Sequence, residues 1–255
     1  MSPVEFVVVL LAGMAAGGIN AMVGSGTLIT FPTLLFLGYP PLVANVSNNI
    51  GLVAGGFGGV RGYRDELAGH THTIKRLMPA SAAGAITGAL LLLILPASAF
   101  DAIVPALIAV ALLLVLTGPR LQAWAAEHHP DQAGAGRMRL TLAGVFLAGI
   151  YGGYFGAAQG VLLIGVMSVL IAEPLQRINA FKNVLGTTVN GVAAAVFLLV
   201  AWDKIDWAVV VAIAIGALFG GYGGARLGRR LPPAVLRGVI VVVGTVAIVK
   251  LVAFP

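Results

Sequence analysis

The sequence predicts an all-α membrane protein with about ten membrane segments, arranged as two inverted five-segment repeats with short broken or re-entrant helices. Three observations predict it: the composition, the spacing of apolar runs and an internal repeat. Of 255 residues, 59% are hydrophobic and 9% charged, and the mean hydropathy is +1.02. A soluble domain carries about a quarter charged residues. Apolar runs near 20 residues recur along the chain, as bilayer-spanning helices require.

The apolar segments are ten in number, and the second and seventh are short. The first is predicted to be a membrane helix rather than a cleaved signal peptide, since no basic residues precede it. The short segments, about 12 residues each, cover only part of a hydrocarbon core about 30 Å thick. Whether they cross fully or form re-entrant hairpins is left open. The segments cover about residues 4–23, 27–38, 42–60, 78–95, 99–117, 140–157, 161–172, 178–201, 207–225 and 233–253.

The order of long and short segments repeats, and individual residues repeat with it. We therefore expect a first repeat over residues 1–118, a polar cytoplasmic linker over 119–139 and a second, inverted repeat over 140–255. At an offset of 134 positions the matched pairs are Pro40 with Pro174, Asn45 with Asn179, Asn49 with Asn183, Gly26 with Gly160 and Gly18 with Gly152.

The loop charges predict the orientation. Connections with odd numbers hold twelve Lys and Arg residues, whereas the opposite side holds only Lys204 and Lys250. Basic residues collect on the cytoplasmic side, so both termini should be non-cytoplasmic. The net charge of +6 is explained by this topology, and no nucleic-acid partner is expected. The chain has no cysteine, which excludes a Cys-based metal site.

Polar side chains recur along one face of the helix that follows each repeated proline. Such a stripe must face the bundle interior or a watery cavity, because exposure to lipid is costly. Each stripe begins at a helix N-terminus, whose free N–H groups attract anions. The first stripe holds Asn45, Asn48 and Asn49, and the second holds Asn179, Lys182, Asn183, Thr187 and Asn190.

Lys182 is the residue that says most about the function, because a cation inside a membrane needs a counter-charge. A bound anion is the partner that we predict, with Arg177 at the entrance as a second attractor. Two alternatives stay open: Lys182 could extend to the cytoplasmic surface, or pair with Glu173.

Two glycine-rich breaks separate the first and second segments of each half. Glycine permits an unwound backbone that can donate hydrogen bonds to an anion, or simply tight helix packing. Four further glycines are expected to be packing contacts, namely Gly84, Gly88, Gly216 and Gly220.

No metal site, cofactor or catalytic residue is predicted, and we do not expect the protein to be an enzyme. The candidate site residues of the breaks are Asn20, Gly24, Ser25, Gly26, Thr27, Gln159 and Gly160.

The paired motifs resemble the sulfite exporter TauE/SafE family. The resemblance rests on Gly17-Gly18-Ile-Asn-Ala-Met-Val-Gly-Ser-Gly-Thr27 with Asn45-Val-Ser-Asn-Asn49, and on Gly152-Gly-Tyr-Phe-Gly156 with Asn179-Ala-Phe-Lys-Asn183. It implies transport of small sulfur-containing anions, such as sulfite or sulfoacetate, across the bacterial inner membrane.

The function that we predict is a secondary transporter working by alternating access. The alternatives are a passive anion channel, and a membrane-embedded accessory subunit or enzyme. Coupling to protons or cations stays open, as do the direction of transport and the oligomeric state.

Overall fold

A computed structural model describes residues 1–127, 135–227 and 233–253. These residues form helices and no strand. Each of the ten predicted segments coincides with a helix, and the short α4 and a 3₁₀ turn at Trp202–Lys204 are additional. The helices are α1 Pro3–Met22, α2 Thr27–Phe36, α3 Pro41–Gly62, α4 Arg64–Leu67, α5 Thr71–Ile94, α6 Ala97–Glu127, α7 Ala135–Tyr154, α8 Gln159–Leu170, α9 Leu175–Val200, α10 Trp207–Leu227 and α11 Pro233–Ala253.

Local sequence signals set where several helices begin. At the start of α1, the Ser2 hydroxyl accepts from the Glu5 N–H and the Glu5 carboxylate accepts from the Ser2 N–H, which is a capping box. Pro40 and Pro174 are the N-caps of α3 and α9, the two helices that carry the polar stripes. The repeated prolines therefore start these helices as the sequence predicted.

Five helices in the described part of the chain are long and apolar enough to cross a bilayer. The helices α2 and α8 have only 10 and 12 residues, so their length alone does not span the hydrocarbon. A crossing by each of the ten segments stays a prediction. The five candidate spans are Pro3–Met22, Thr71–Ile94, Ser98–Leu121, Leu175–Val200 and Trp207–Arg226.

Helix α6 runs further than the predicted fifth segment. It continues to Glu127, about three turns into the stretch predicted as a polar linker. That stretch is rich in alanine, a strong helix former, and Pro119 lies within the helix without ending it. The central part of the linker, residues 128–134, lies outside the described residues.

Helices of the first half pack mainly against helices of the second half. Helix α1 packs against α10. In the equivalent pair, α7, which corresponds to α1, packs against α5, which corresponds to α10. In the same exchanged manner, α3 packs against α10, and α9 packs against α5. The central contact joins α3 to α9, the two helices with polar stripes. A two-fold relation between the halves would produce such exchanged pairs.

Glycines allow the backbones of the exchanged pairs to approach closely. A Cβ atom added to Gly88 of α5 would collide with the carbonyl oxygen of Ile150 in α7. A Cβ atom added to Gly220 of α10 would likewise collide with the carbonyl oxygen of Met14 in α1. Gly84 and Gly216 make equivalent contacts one turn away. These four glycines are therefore packing contacts, as predicted, and membrane helices commonly associate in this way.

The change Gly220→Leu should destabilise the protein by at least about 2 kcal/mol, because the side chain cannot fit against α1. On the same helix, Gly223→Leu is a matched control, since an added Cβ there meets no atom within 4 Å. Thermal unfolding of both variants in detergent checks this. An equal loss of stability in both would contradict the packing described.

Candidate functional site

Two chain breaks lie between the long and short helices of each half. The first, residues 23–26, separates α1 from α2, and the second, residues 155–158, separates α7 from α8. Gly24 and Ala158, at corresponding positions, both have positive φ values, +83° and +59°. The Gly26 N–H donates to Asn20 Oδ1 at 2.8 Å, which fixes the first break against the end of α1. The breaks are thus ordered turns at equivalent places.

The first break touches the first turn of α8, which directly follows the second break. The Gly160 N–H donates to the Gly24 carbonyl oxygen at 3.0 Å. A Cβ atom added to Gly24 would collide with the Cα atom of Gly160, so only glycine permits this approach. The first turn of α8 therefore lies against the end of α1, and residues distant in sequence form one site.

Lys182 lies beside this contact and is only 2% exposed. Its ammonium group donates to the carbonyl oxygens of Asn20 at 2.7 Å and Ala21 at 3.0 Å. Both carbonyls belong to the last turn of α1, where the helix leaves its final carbonyls unpaired and its dipole is negative. The cation therefore caps α1.

Neither open alternative for Lys182 occurs. The side chain is buried, so it does not extend to the surface. Glu173 accepts instead from Arg177, four residues away, and its other oxygen lies 3.5 Å from His70 Nδ1. The partners of the Lys182 ammonium group in the described structure are backbone carbonyls, which residue identities do not reveal.

Amides of each polar stripe bind the broken helix of the other half. In the second half, Asn183 Nδ2 donates to the Ala21 carbonyl oxygen at 3.1 Å. In the first half, Asn45 Nδ2 donates to the carbonyl oxygen of Tyr154, the last residue of α7, at 3.0 Å. Each stripe thus satisfies carbonyls that the break in the opposite half leaves unpaired.

A pocket opens next to Lys182 and contains about 420 Å³ of empty space, including open solvent. Among the described residues that line it, Lys182 is the only one with a charge. Gln159 is 4% exposed, and its Nε2 atom has no hydrogen-bond partner in the described structure. The lining consists of Asn20, Gly24, Thr27, Gly56, Gly156, Gln159, Gly160, Lys182, Asn183, Gly186, Thr187 and Asn190.

The structure brings eight of the predicted site residues to the pocket and leaves seven outside its lining. Of these seven, Asn48 accepts from the Thr30 hydroxyl, and Asn49 Nδ2 donates to Asn190 Oδ1 at 3.4 Å. The pocket lies two turns beyond the start of α9, so the N-terminus of this helix does not face it. The seven residues are Ser25, Gly26, Asn45, Asn48, Asn49, Asn179 and Arg177.

Three glycines of the lining were not predicted as site residues, namely Gly56, Gly156 and Gly186, and Asn190 was predicted only as a member of the second polar stripe. Gly186 and Asn190 extend the face of α9 that holds Lys182, at spacings of three and four residues. Gly56 on α3 lies against the side chain of Thr187. The helical spacing places Gly186 on the face of Lys182 and could have predicted its position. Glycine has no side chain that could bind a ligand, so the residue type did not indicate a site.

Comparisons with known proteins agree on a family and a general function. A family profile described as "Sulfite exporter TauE/SafE" matches residues 9–251. "Probable membrane transporter protein ORF9" of Sinorhizobium sp is 29% identical over 96% of this chain and 91% of its own. "Probable membrane transporter protein YfcA" of Escherichia coli K12 is 26% identical over 98% and 91%, respectively. No solved structure gave a significant match.

Replacement of Gly24 by alanine should be more damaging than the same change at Gly38. Both glycines have nearly equal φ values, +83° and +85°, so both variants incur backbone strain of about 1–2 kcal/mol. An added Cβ at Gly38 meets nothing within 4 Å, whereas at Gly24 it collides with Gly160. Thermal unfolding should show a larger loss for Gly24→Ala. Equal losses of stability in the two variants would mean that the first break does not touch α8.

Proposed function

Because the chain belongs to the sulfite exporter TauE/SafE family, we propose that it is a secondary transporter of a small sulfur-containing oxyanion. Sulfite or a small organosulfonate such as sulfoacetate is the substrate that the family name and the pocket favour. The similar proteins named as probable membrane transporters support transport across a membrane rather than catalysis. The observation that carries the proposal is the buried Lys182 side chain, the one charged group among the described residues that line a pocket of neutral donors.

The hydrogen-bonding capacity of Lys182 favours an anion in the pocket. An ammonium group has three donors, and the carbonyls of Asn20 and Ala21 take two of them. The third donor and the unpartnered Nε2 atom of Gln159 are available to an anion. Charge-assisted hydrogen bonds of this kind are stronger than neutral ones. The site would replace the hydration shell of an oxyanion with one ammonium and several amide and hydroxyl groups.

Alternating access would arise from movement of the two halves about this site. Residues 1–118 and 140–255 would be inverted repeats joined by the linker 119–139, and the exchanged helix pairs support a two-fold relation between them. Inverted repeats with discontinuous helices at their interface are the architecture of many secondary transporters. In the bacterial inner membrane, with both termini non-cytoplasmic, the pocket would open to each side in turn.

Loss of the charge at Lys182 should slow transport strongly. Removal of a charge-assisted hydrogen bond costs about 1.5–3 kcal/mol, so Lys182→Gln should lower uptake of labelled sulfite or sulfoacetate into vesicles by roughly 10- to 100-fold. Lys204→Gln is the matched control, because Lys204 is exposed and pairs with Asp203. Uptake at the control rate by correctly folded Lys182→Gln protein would remove Lys182 from the mechanism. Continuous ion currents would favour a channel instead.

A second variant separates binding from folding. Since Gln159 Nε2 has no protein partner, Gln159→Met removes a donor without breaking a hydrogen bond of that atom. We expect slower uptake with thermal stability close to that of the unmodified protein. Unchanged uptake would exclude this amide as a ligand.

The inverted orientation can be tested with single cysteines, because the chain has none. Asp65 and Asp203 lie in corresponding connections of the two halves, and their side chains are 89% and 70% exposed. A membrane-impermeant thiol reagent added to intact cells should label Asp203→Cys but not Asp65→Cys. Permeabilised cells should label both. Labelling of both variants in intact cells, or of neither, would show that the halves have the same orientation.

A further inference from the structure

We propose that Gly186 sets the size of the ligand that the pocket accepts, because its missing side chain leaves room for the organic part of a sulfonate. The inference rests on the anion transport proposed above. The charged end of the ligand would lie at Lys182 and Gln159, and its carbon atoms would extend along α9 past Gly186. Gly186 would thus determine specificity without binding the ligand through a side chain.

The pocket follows α9 for more than two turns. Lys182, Gly186 and Asn190 line it at successive spacings of four residues, so they lie on the same side of the helix. At 1.5 Å per residue, the length of helix from Lys182 to Asn190 is about 12 Å. A sulfonate or sulfite group bound at Lys182 occupies only one end of this length. The rest is available to the remainder of a longer ligand.

The other glycines of the lining are required by the fold. Gly24 and Gly160 contact each other, and a Cβ atom added to either one would collide with the Cα atom of the other. A Cβ atom added to Gly56 would collide with the hydroxyl group of Thr187. Gly156 has a φ of +80°, a backbone conformation that favours glycine. Close contact or backbone geometry therefore explains each of these glycines.

Gly186 has neither requirement. It lies in the interior of α9, and an added Cβ atom meets no atom within 4 Å. Alanine at this position would favour the helix, because glycine in a helix interior is destabilising relative to alanine. The space beside Gly186 is part of the pocket. The missing side chain therefore enlarges the pocket and does not serve helix packing.

The far end of the pocket has hydrogen-bonding groups. Asn190 Oδ1 accepts from Asn49 Nδ2 at 3.4 Å, and the Thr187 hydroxyl donates to the Asn183 carbonyl oxygen at 2.7 Å. The amide nitrogen of Asn190 has two donors that a polar group of the ligand can use. The carboxylate of a ligand such as sulfoacetate would point towards this amide once the sulfonate is bound at Lys182.

Two leucine variants of α9 test the role of Gly186. Gly186→Leu fills the space that we assign to the organic part of the ligand. Gly191→Leu is the matched control, because an added Cβ atom there also meets no atom within 4 Å. Gly191 follows Lys182 by nine residues, or two and a half turns, so it lies on the opposite side of α9 and outside the pocket lining. Gly186→Ala is a smaller change and should give a smaller effect in the same direction.

The experiment measures the binding of three anions to the full-length protein in detergent. Sulfite has no carbon atom, ethanesulfonate adds a carbon chain, and sulfoacetate adds a carbon atom and a carboxylate. Ethanesulfonate thus separates the effect of size from that of a second charge. Ligand-dependent thermal stabilisation gives the relative affinities, and the transition without ligand shows whether each variant is folded.

Gly186→Leu should weaken the binding of ethanesulfonate and sulfoacetate by at least about tenfold, and that of sulfite by less than about threefold. Gly191→Leu should leave all three affinities unchanged. Equal effects of Gly186→Leu on sulfite and on the longer anions would overturn the proposal and leave anion transport intact. So would binding of sulfite, but of neither longer anion, by the unmodified protein. If the unmodified protein binds none of the three, the proposed transport fails, and the role of Gly186 fails with it.

Discussion

The hydrogen bonds from the Lys182 ammonium group to the last carbonyls of α1 are the interaction on which the site depends. A helix that ends inside a protein leaves carbonyls without partners, and burial makes this costly. Lys182 and Asn183 of the second half satisfy the Asn20 and Ala21 carbonyls, while Asn45 of the first half binds the end of α7. The breaks exist because the opposite half supplies the missing donors. This mutual capping holds the two halves together at the place where the chain is least regular.

The contact between Lys182 and the end of α1 also suggests how ligand binding could be coupled to a conformational change. The described partners of the Lys182 ammonium group are carbonyl oxygens and not a carboxylate, so the group is well placed to attract an anion. Once an anion binds, Lys182 would share its donors between the ligand and the end of α1. The occupancy of the pocket would then alter how firmly the first break is held. Differential contacts of this kind are what a ligand needs in order to shift a conformational equilibrium.

The helical class and the order of the helices could be predicted from the sequence, because long hydrophobic segments are a direct consequence of the bilayer. The break residues Gly24 and Gly160 were also recognisable from their repeated surroundings. The partner of Lys182 was not, since backbone carbonyls leave no trace in residue identity. Asn48 and Asn49 were correctly placed on an inward face, yet spacing could not show that their partners are Thr30 and Asn190. Gly186 was missed because it forms the pocket by lacking a side chain.

The central claim is that an anion binds between the two breaks, beside Lys182. The most direct measurement is a crystal structure with bromomethanesulfonate, whose bromine atom can be located by anomalous scattering. We predict an anomalous peak in the pocket, with the sulfonate oxygens within hydrogen-bonding distance of Lys182 Nζ and Gln159 Nε2. A peak elsewhere in the protein, with the Lys182 ammonium still bound only to the carbonyls of α1 and the pocket containing only water, would contradict the account.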